Sequence, residues 1–330
     1  MKLLVTGAAG MIGIAFIKKL LENSIDVIGV DNFFRGKPSN IDLLQSYASK
    51  TGSKFEFYEC DLSKRIDDSL FPIPDAVVHL ADVVAGIKYV FNNEFELLNQ
   101  NLLIDANVTS FVNRRKIPRY IYVGTACSFP KHIQNGTNSK LFEEAKFPAA
   151  PESTYGWSKL MGEILTEQLA KNNITETCSI ILHNVYGLYC DFDPIRSQVI
   201  PSLIKKASNL KKGEFLEVWG SGEQSRSFIE TRDVAGFLTA AILSTKPLKT
   251  YDKAQIGDPK ATSIRKISEI IIKNFDEKKL ILRFNKNEPT GDLGRIPDLR
   301  KAKSLGFEQK IKIEDGIKEL IDWAMATREI

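Results

Sequence analysis

Eight residues near the start of the chain, Thr6-Gly7-Ala8-Ala9-Gly10-Met11-Ile12-Gly13, constrain the fold more than any other segment. They follow an apolar run at Lys2–Thr6 and open an amphipathic run at Met11–Glu22, so the glycines fall in a strand-to-helix turn. One glycine makes the tight turn, one lets backbone approach a pyrophosphate, and one lets helix and strand pack closely. The helix N-terminus beyond them offers unpaired N–H groups and the positive end of a dipole to phosphate. Gly7, Gly10, Met11, Ile12 and Gly13 are therefore candidate phosphate-binding residues of a dinucleotide site.

The alternation of strand and helix continues. Asp26–Asp31, Phe55–Asp61, Ala76–Ala81, Arg119–Thr125 and Ser179–His183 read as strands, with the clearest helical patterns between them at Phe95–Arg115 and Tyr155–Lys171. Such a sequence builds right-handed β-α-β units, hence an α/β fold with a doubly wound parallel sheet covered on both faces. The near-continuous apolar run at Ala76–Ala81 suits a strand buried on both sides. Beyond about residue 185 the segments are shorter and more polar, with helical periodicity at Gln198–Leu210, Arg232–Leu243, Ile264–Phe275 and Ile313–Ala326. The expected division is a dinucleotide-binding domain of residues 1–184 plus about 229–257, and a smaller mixed α/β substrate domain of about 185–228 plus 258–330.

Composition narrows the function classes. A chain of 330 residues with 43% hydrophobic and 26% charged residues is an ordinary globular protein, not a fibre, a disordered tail or a small disulfide scaffold. No window approaches about 18 uninterrupted apolar residues, and the opening apolar stretch is too short for a signal peptide. A cytoplasmic protein with no membrane partner is expected. The net charge of +4 is dispersed, without the basic stripe that nucleic acid requires. Cys60, Cys127, Cys178 and Cys190 form no C-x-x-C pair, so reduced thiols and no metal site are expected.

Asp31 ends the second strand, 18 residues after Gly13. A carboxylate there accepts hydrogen bonds from both adenosine ribose hydroxyls and repels a 2′-phosphate, which favours NAD over NADP. Arg35, close by, is the residue that argues for NADP. Asp61-Leu62 sits where the adenine amino group would be received, although a strand-end Asp is also a common helix cap.

Tyr155-Gly156-Trp157-Ser158-Lys159 opens a helical segment and puts Tyr155 and Lys159 one turn apart on one face. An ammonium near a phenol stabilises the phenolate, so Tyr155 can take a proton from a substrate hydroxyl and give it back. Thr125 closes the apolar strand that begins at Arg119 and stands 30 residues before Tyr155. The carboxyl end of a parallel strand is where open α/β sheets hold substrates; a hydroxyl there serves equally as a strand-end cap.

Together these residues resemble the extended short-chain dehydrogenase/reductase family, Rossmann-type proteins that modify nucleotide sugars. The likeness covers nearly the whole chain: T-G-A-A-G-M-I-G (6–13), Asp31, Asp61-Leu62, H-L-A (79–81), Asn101, T-A-C (125–127), Y-G-W-S-K (155–159), H-N-V-Y-G (183–187), V-W-G-S-G-E-Q-S-R-S-F (218–228) and Gly294-Arg295. It implies an NAD-dependent enzyme that transiently oxidises C4 of a nucleotide-linked sugar and returns the hydride to give an epimer. Leu80 and Ala81 would line the cofactor. Arg226 and Arg295 would pair with the diphosphate, because a guanidinium fork matches phosphate oxygens. Asn184 would hydrogen-bond sugar or phosphate, and Trp219 would wall the nucleotide pocket. The helices at Phe95–Arg115 and Tyr155–Lys171 are those through which relatives pair, so a homodimer is expected.

Within the family the chain is most similar to GDP-mannose 3,5-epimerase and GDP-fucose synthase, which implies a GDP-hexose or related GDP-sugar. Those enzymes carry a hydroxyl residue, a spacer and a cysteine where this chain has Thr125-Ala126-Cys127. In them the cysteine is one of two acid/base groups that move protons at C3 and C5 of a 4-keto sugar. Cys127 is accordingly either a proton carrier or a small residue beside the sheet. The partner position departs from the pattern: Gln198 stands in place of a His or Lys, and an amide does not exchange a proton usefully near neutral pH. His183 is left as another partner or as a sheet-end packing residue. Relatives that dehydrate their sugars place an Asp-Glu pair after the hydroxyl residue, and Ala126-Cys127 supplies no carboxylate. A C4 epimerase needs only the Thr, Tyr and Lys. The alternatives are a 4-dehydrogenase or 4-keto reductase without epimerisation, and an NAD-binding sensor, which would be expected to have lost the Tyr or Lys present here.

Overall fold

The structure, a computed structural model, describes residues 1–136, 138–244, 251–288 and 293–330. Seven strands form its main sheet: β1 (Lys2–Thr6), β2 (Asp26–Asp31), β3 (Phe55–Glu59), β4 (Ala76–His79), β5 (Arg119–Thr125), β6 (Glu176–Leu182) and β7 (Tyr251–Ile256). They lie in the order β7-β6-β5-β4-β1-β2-β3, each parallel to its neighbours. The order reverses between β1 and β4. At such a switch point the loops leave the sheet in opposite directions and open a crevice at the carboxyl ends of the strands.

Strand pleating explains the apolar runs. On β1, Leu3 and Val5 face one side and Leu4 the other, and all three are buried because both sides are covered. One cover comes from α1 (Met11–Glu22), α2 (Pro38–Thr51) and a later helix at Thr231–Leu243, through Ile14, Ile17, Leu21, Leu44, Leu238 and Ala241. The other comes from α3 (Glu94–Arg114), whose Ile104, Val108, Phe111 and Val112 meet Leu4, Ile28 and Val77, with α4 (Thr154–Ala170) alongside. A separate apolar cluster forms where α5 (Val199–Asn209), α7 (Ile264–Lys273) and α8 (Ile313–Ala326) pack, the Thr231–Leu243 helix being α6. Beside it lie the parallel strands Phe215–Trp219 and Ile281–Asn285, and a small sheet in which Ser225–Arg226 sits between Thr262–Ser263 and Gly294–Pro297.

The differences from the sequence expectation are informative. Strand β6 starts at Glu176 rather than Ser179, because Thr177 and Ser179 are fully buried in the sheet despite their polarity. Strands β3 and β4 stop two residues early, which leaves Cys60-Asp61 and Leu80-Ala81 in the loops at the crevice. Helix α2 carries only Ile41, Leu44 and Ala48 on its buried face, too sparse a pattern to read in advance. No helix among the described residues is long and apolar enough to cross a membrane.

Candidate active site

The carboxyl ends of β1, β2, β4, β5 and β6 open on a cleft of about 520 Å³, whose opposite wall comes from α5, Trp219, Arg226 and Arg295. Its floor begins at the glycine-rich turn. Gly7 adopts φ +69°, and a Cβ there would sit 3.0 Å from the backbone N of Ala81. A Cβ on Gly13 would lie 2.2 Å from the Gly7 carbonyl oxygen, so only glycine lets α1 rest on the turn. Gly10 is the N-cap of α1 and no side chain caps that end, while Met11 and Ile12 line the cleft. The first-turn N–H groups are thus left to an anion, which fits a dinucleotide's phosphates.

Asp31 also lines the cleft. Its carboxylate accepts the Ala9 N–H at 2.9 Å and the Phe33 N–H at 2.8 Å, and so holds the turn in shape. Burial pushes its carboxyl above the usual carboxylate range, against the pull of those two bonds. Arg35 also lines the cleft, where it donates to the Val84 carbonyl at 2.8 Å and lies 3.6 Å from Asp191. Leu80 and Ala81 line the cleft and donate their N–H groups to Thr6 Oγ1, each at 3.0 Å. Leu62 lines it too, but Asp61 does not; the Asp61 carboxylate accepts from the N–H and hydroxyl of Ser63 in a local turn, and no helix follows for it to cap.

Helix α4 presents the candidate acid–base group. Ser153 caps its N-terminus, and Gly156 permits contact with the loop after β5, since a Cβ would come within 2.2 Å of the Cys127 carbonyl. The Tyr155 hydroxyl donates to Asp82 Oδ2 at 3.2 Å, and Lys159 Nζ lies 3.1 Å from the same oxygen. The Lys159 ammonium also sits 4.5 Å over the Tyr122 ring. Burial first, then the Asp82 carboxylate and Cys127, hold the Tyr155 phenol well above its ordinary range, while the Thr125 hydroxyl draws it down. Thr125 accepts the Cys127 N–H at 3.3 Å, so it serves as a cap while also facing Tyr155.

Cys127 is met from the opposite wall. Arg295 donates to its sulfur at 3.3 Å and to Gln134 Oε1 at 2.6 Å. Parallel pairing sets Arg226 beside Arg295, with the Arg226 guanidinium donating to the Ser225 carbonyl at 2.8 Å. Asn184, Gln198 and Trp219 all line the cleft, Gln198 as the N-cap residue of α5. His183 is buried beside them. Gln255 donates its amide to the Leu141 carbonyl at 2.8 Å and so turns its oxygen to His183 Nε2, 3.1 Å away, which makes that nitrogen the protonated one. Burial, reinforced by the Arg295 charge, lowers the His183 pKa to about 3, so the ring is neutral at pH 7.

Several cleft residues escaped the motif reading, Asp82 and Lys206 among them. Asp82 stands just past the end of β4, and Lys206 of α5 holds its ammonium 5.0 Å over the Trp219 ring. A carboxylate following H-L-A was the available signal for the first; Lys206 gave none.

Comparison with known proteins agrees with this architecture. Residues 3–257 match the model of the NAD dependent epimerase/dehydratase family. The chain is 25% identical to GDP-mannose 3,5-epimerase 1 of Oryza sativa subsp. indica, across 98% of this chain and 81% of that protein. It is 28% identical to a putative UDP-glucose 4-epimerase of Methanocaldococcus jannaschii, over 97% of each. Among solved structures, UDP-glucuronic acid 4-epimerase from Bacillus cereus, in complex with UDP-glucuronic acid and NAD, superposes with a TM-score of 0.84 at 26% identity, covering 99% of this chain and 100% of that one. The chain therefore belongs to the NAD dependent epimerase/dehydratase family and is an enzyme whose cofactor is NAD.

Proposed function

We propose that the protein is a nucleotide-sugar epimerase that inverts C4 of a GDP-linked hexose through transient oxidation. The observation that carries this reading is the convergence of Tyr155, Lys159 and Thr125 at the carboxyl end of β5, in the same cleft as the glycine-rich turn and Asp31. Gly7, Gly10, Met11, Ile12, Gly13, Asp31, Leu62, Leu80 and Ala81 would hold NAD, which supplies a hydride acceptor beside the substrate. Tyr155 takes the proton of the C4 hydroxyl and later returns it, Lys159 balances the phenolate charge, and Thr125 hydrogen-bonds the substrate oxygen. Arg226 and Arg295 pair with the diphosphate, Asn184 binds sugar or phosphate, and Trp219 walls the nucleotide.

C3/C5 proton transfer would need a second carrier besides Cys127. Gln198 is an amide, and His183 is neutral with its N–H committed to Gln255. Lys206 is the remaining cleft group that could act with Cys127. Inversion at C4 needs no second carrier beyond Tyr155, Lys159 and Thr125, which is what favours it. Guanine is supported by the GDP-mannose 3,5-epimerase likeness over nearly the full chain. A homodimer through α3 and α4 is supported by the exposed apolar side chains Phe95 and Leu103 on one helix and Trp157 and Met161 on the other. Replacing Trp157 and Met161 with Glu should then halve the mass seen by light scattering; an unchanged mass counts against it.

The test is a panel of GDP-, UDP- and dTDP-hexoses in deuterated water, with wild type and Tyr155→Phe. The expected product is the C4 epimer of a GDP-sugar without incorporated deuterium, formed at least ~100-fold more slowly by Tyr155→Phe with NAD binding retained. Deuterium at C3 or C5, or a keto product with accumulating NADH, would overturn it.

A further inference from the structure

Asp82 occupies a position that the proposed reaction does not explain. Its carboxylate is nine-tenths buried and lines the cleft. One oxygen takes both the Tyr155 hydroxyl, at 3.2 Å, and the Lys159 ammonium, at 3.1 Å. The other, Oδ1, is buried and accepts no hydrogen bond. Buried carboxylate oxygens ordinarily find donors, so an orphan at the cleft is a place for a ligand's donor.

The electrostatics run against the usual pairing of a phenol with an ammonium. A carboxylate beside Tyr155 disfavours the phenolate, and the same carboxylate neutralises the Lys159 charge that would favour it. The other groups around the phenol do not reverse this. From β5 comes the Thr125 hydroxyl, while Tyr122 lies under the Lys159 ammonium and bonds Asp105 of α3 at 2.8 Å. From the loop after β5 comes Cys127, whose sulfur meets Arg295. Two charges stand close to the phenol, the Asp82 carboxylate that bonds it directly and the Lys159 ammonium on the far side of the same carboxylate oxygen.

We propose that Asp82 is a positioning residue that holds Tyr155 protonated and Lys159 neutralised until a ligand hydroxyl reaches its free oxygen and draws the carboxylate away. Lys159 is then left facing the phenol, and proton acceptance by Tyr155 becomes favourable only in the loaded cleft. No bond is made or broken at Asp82. The donor is a hydroxyl of a ribose or of a hexose. This inference rests on the epimerase reading for the role of Tyr155, but its test needs no turnover.

Phenolate absorbance is titrated in wild type and Asp82→Asn, each corrected with its own Tyr155→Phe counterpart. In the ligand-free protein the Tyr155 phenolate should form at least about one pH unit lower in Asp82→Asn than in wild type. Saturating NAD, with or without the GDP-sugar, should then lower the wild-type titration by more than that of the variant. Closure of the gap by NAD alone identifies a ribose hydroxyl; closure only with both identifies the hexose. Equal titrations without ligand, or a gap that persists in both complexes, would overturn the proposal. Asp82→Ser serves if the Asn variant fails to fold. Absence of turnover on any sugar, with the titration as expected, would count against the epimerase reading and leave the Asp82 coupling standing.

Discussion

Among the cleft side chains, His183 carries a pH signature that can be measured apart from activity. Its folded pKa of about 3 lies below the ordinary value near 6.5. The unfolded chain therefore gains a proton on this residue as pH falls below about 6.5, while the folded protein does not. The neutral ring's contribution to stability is full above that pH and is lost progressively on acidification toward pH 3. Between pH 6.5 and 5 wild type should lose roughly 2 kcal/mol that His183→Gln does not lose, measured by urea unfolding. Parallel curves for the two proteins would contradict the burial of this ring. The sequence offered His183 as a proton partner or a packing residue, and its environment favours the second. What settles the environment is Gln255, 72 residues away, which no local pattern could reveal. Asp82 was marked only by its place after H-L-A, and its meaning comes from Tyr155, 73 residues further on. Tyr155, Lys159 and Thr125 were legible because helix periodicity and a strand end fix where their side chains point.

At the scale of elements, the glycine-rich turn is the rigid part of the account. A methyl on Gly13 would meet two backbone carbonyls, at 2.2 and 2.8 Å, and backbone cannot move aside as a flexible side chain can. Gly13→Ala should cost more than about 2 kcal/mol of stability and abolish NAD binding, read by thermal melts with and without the cofactor. Gly236 in α6 is the control: a Cβ there meets nothing within 4 Å. Gly236→Ala should be neutral or stabilise by about 0.5–1 kcal/mol through reduced chain entropy. Equal effects at the two positions would show that the turn is not close-packed. The strands were readable where apolar residues ran unbroken, as in β4. Boundaries slipped where buried polar residues such as Thr177 extended a strand, and α2 was missed because just three of its residues are buried, with Leu43 and Tyr47 only partly so.

Across the whole molecule, one cleft gathers the glycine-rich turn, Tyr155 with Lys159, and the two arginines from distant parts of the chain. Topology accounts for this: parallel strands deliver all their carboxyl ends to one edge, and the parallel register of Ser225–Arg226 with Gly294–Pro297 brings Arg226 abreast of Arg295. The parallel arrangement was legible from strand–helix alternation. The register was not, since strands of two and four residues carry no period to read. The proposed inversion is tested most directly by giving the enzyme a GDP-hexose deuterated at sugar C4, in ordinary water, and locating the label in the product. The account predicts an epimer that keeps its deuterium on C4. Label lost to solvent, or an epimer inverted at C3 or C5 instead, would contradict it.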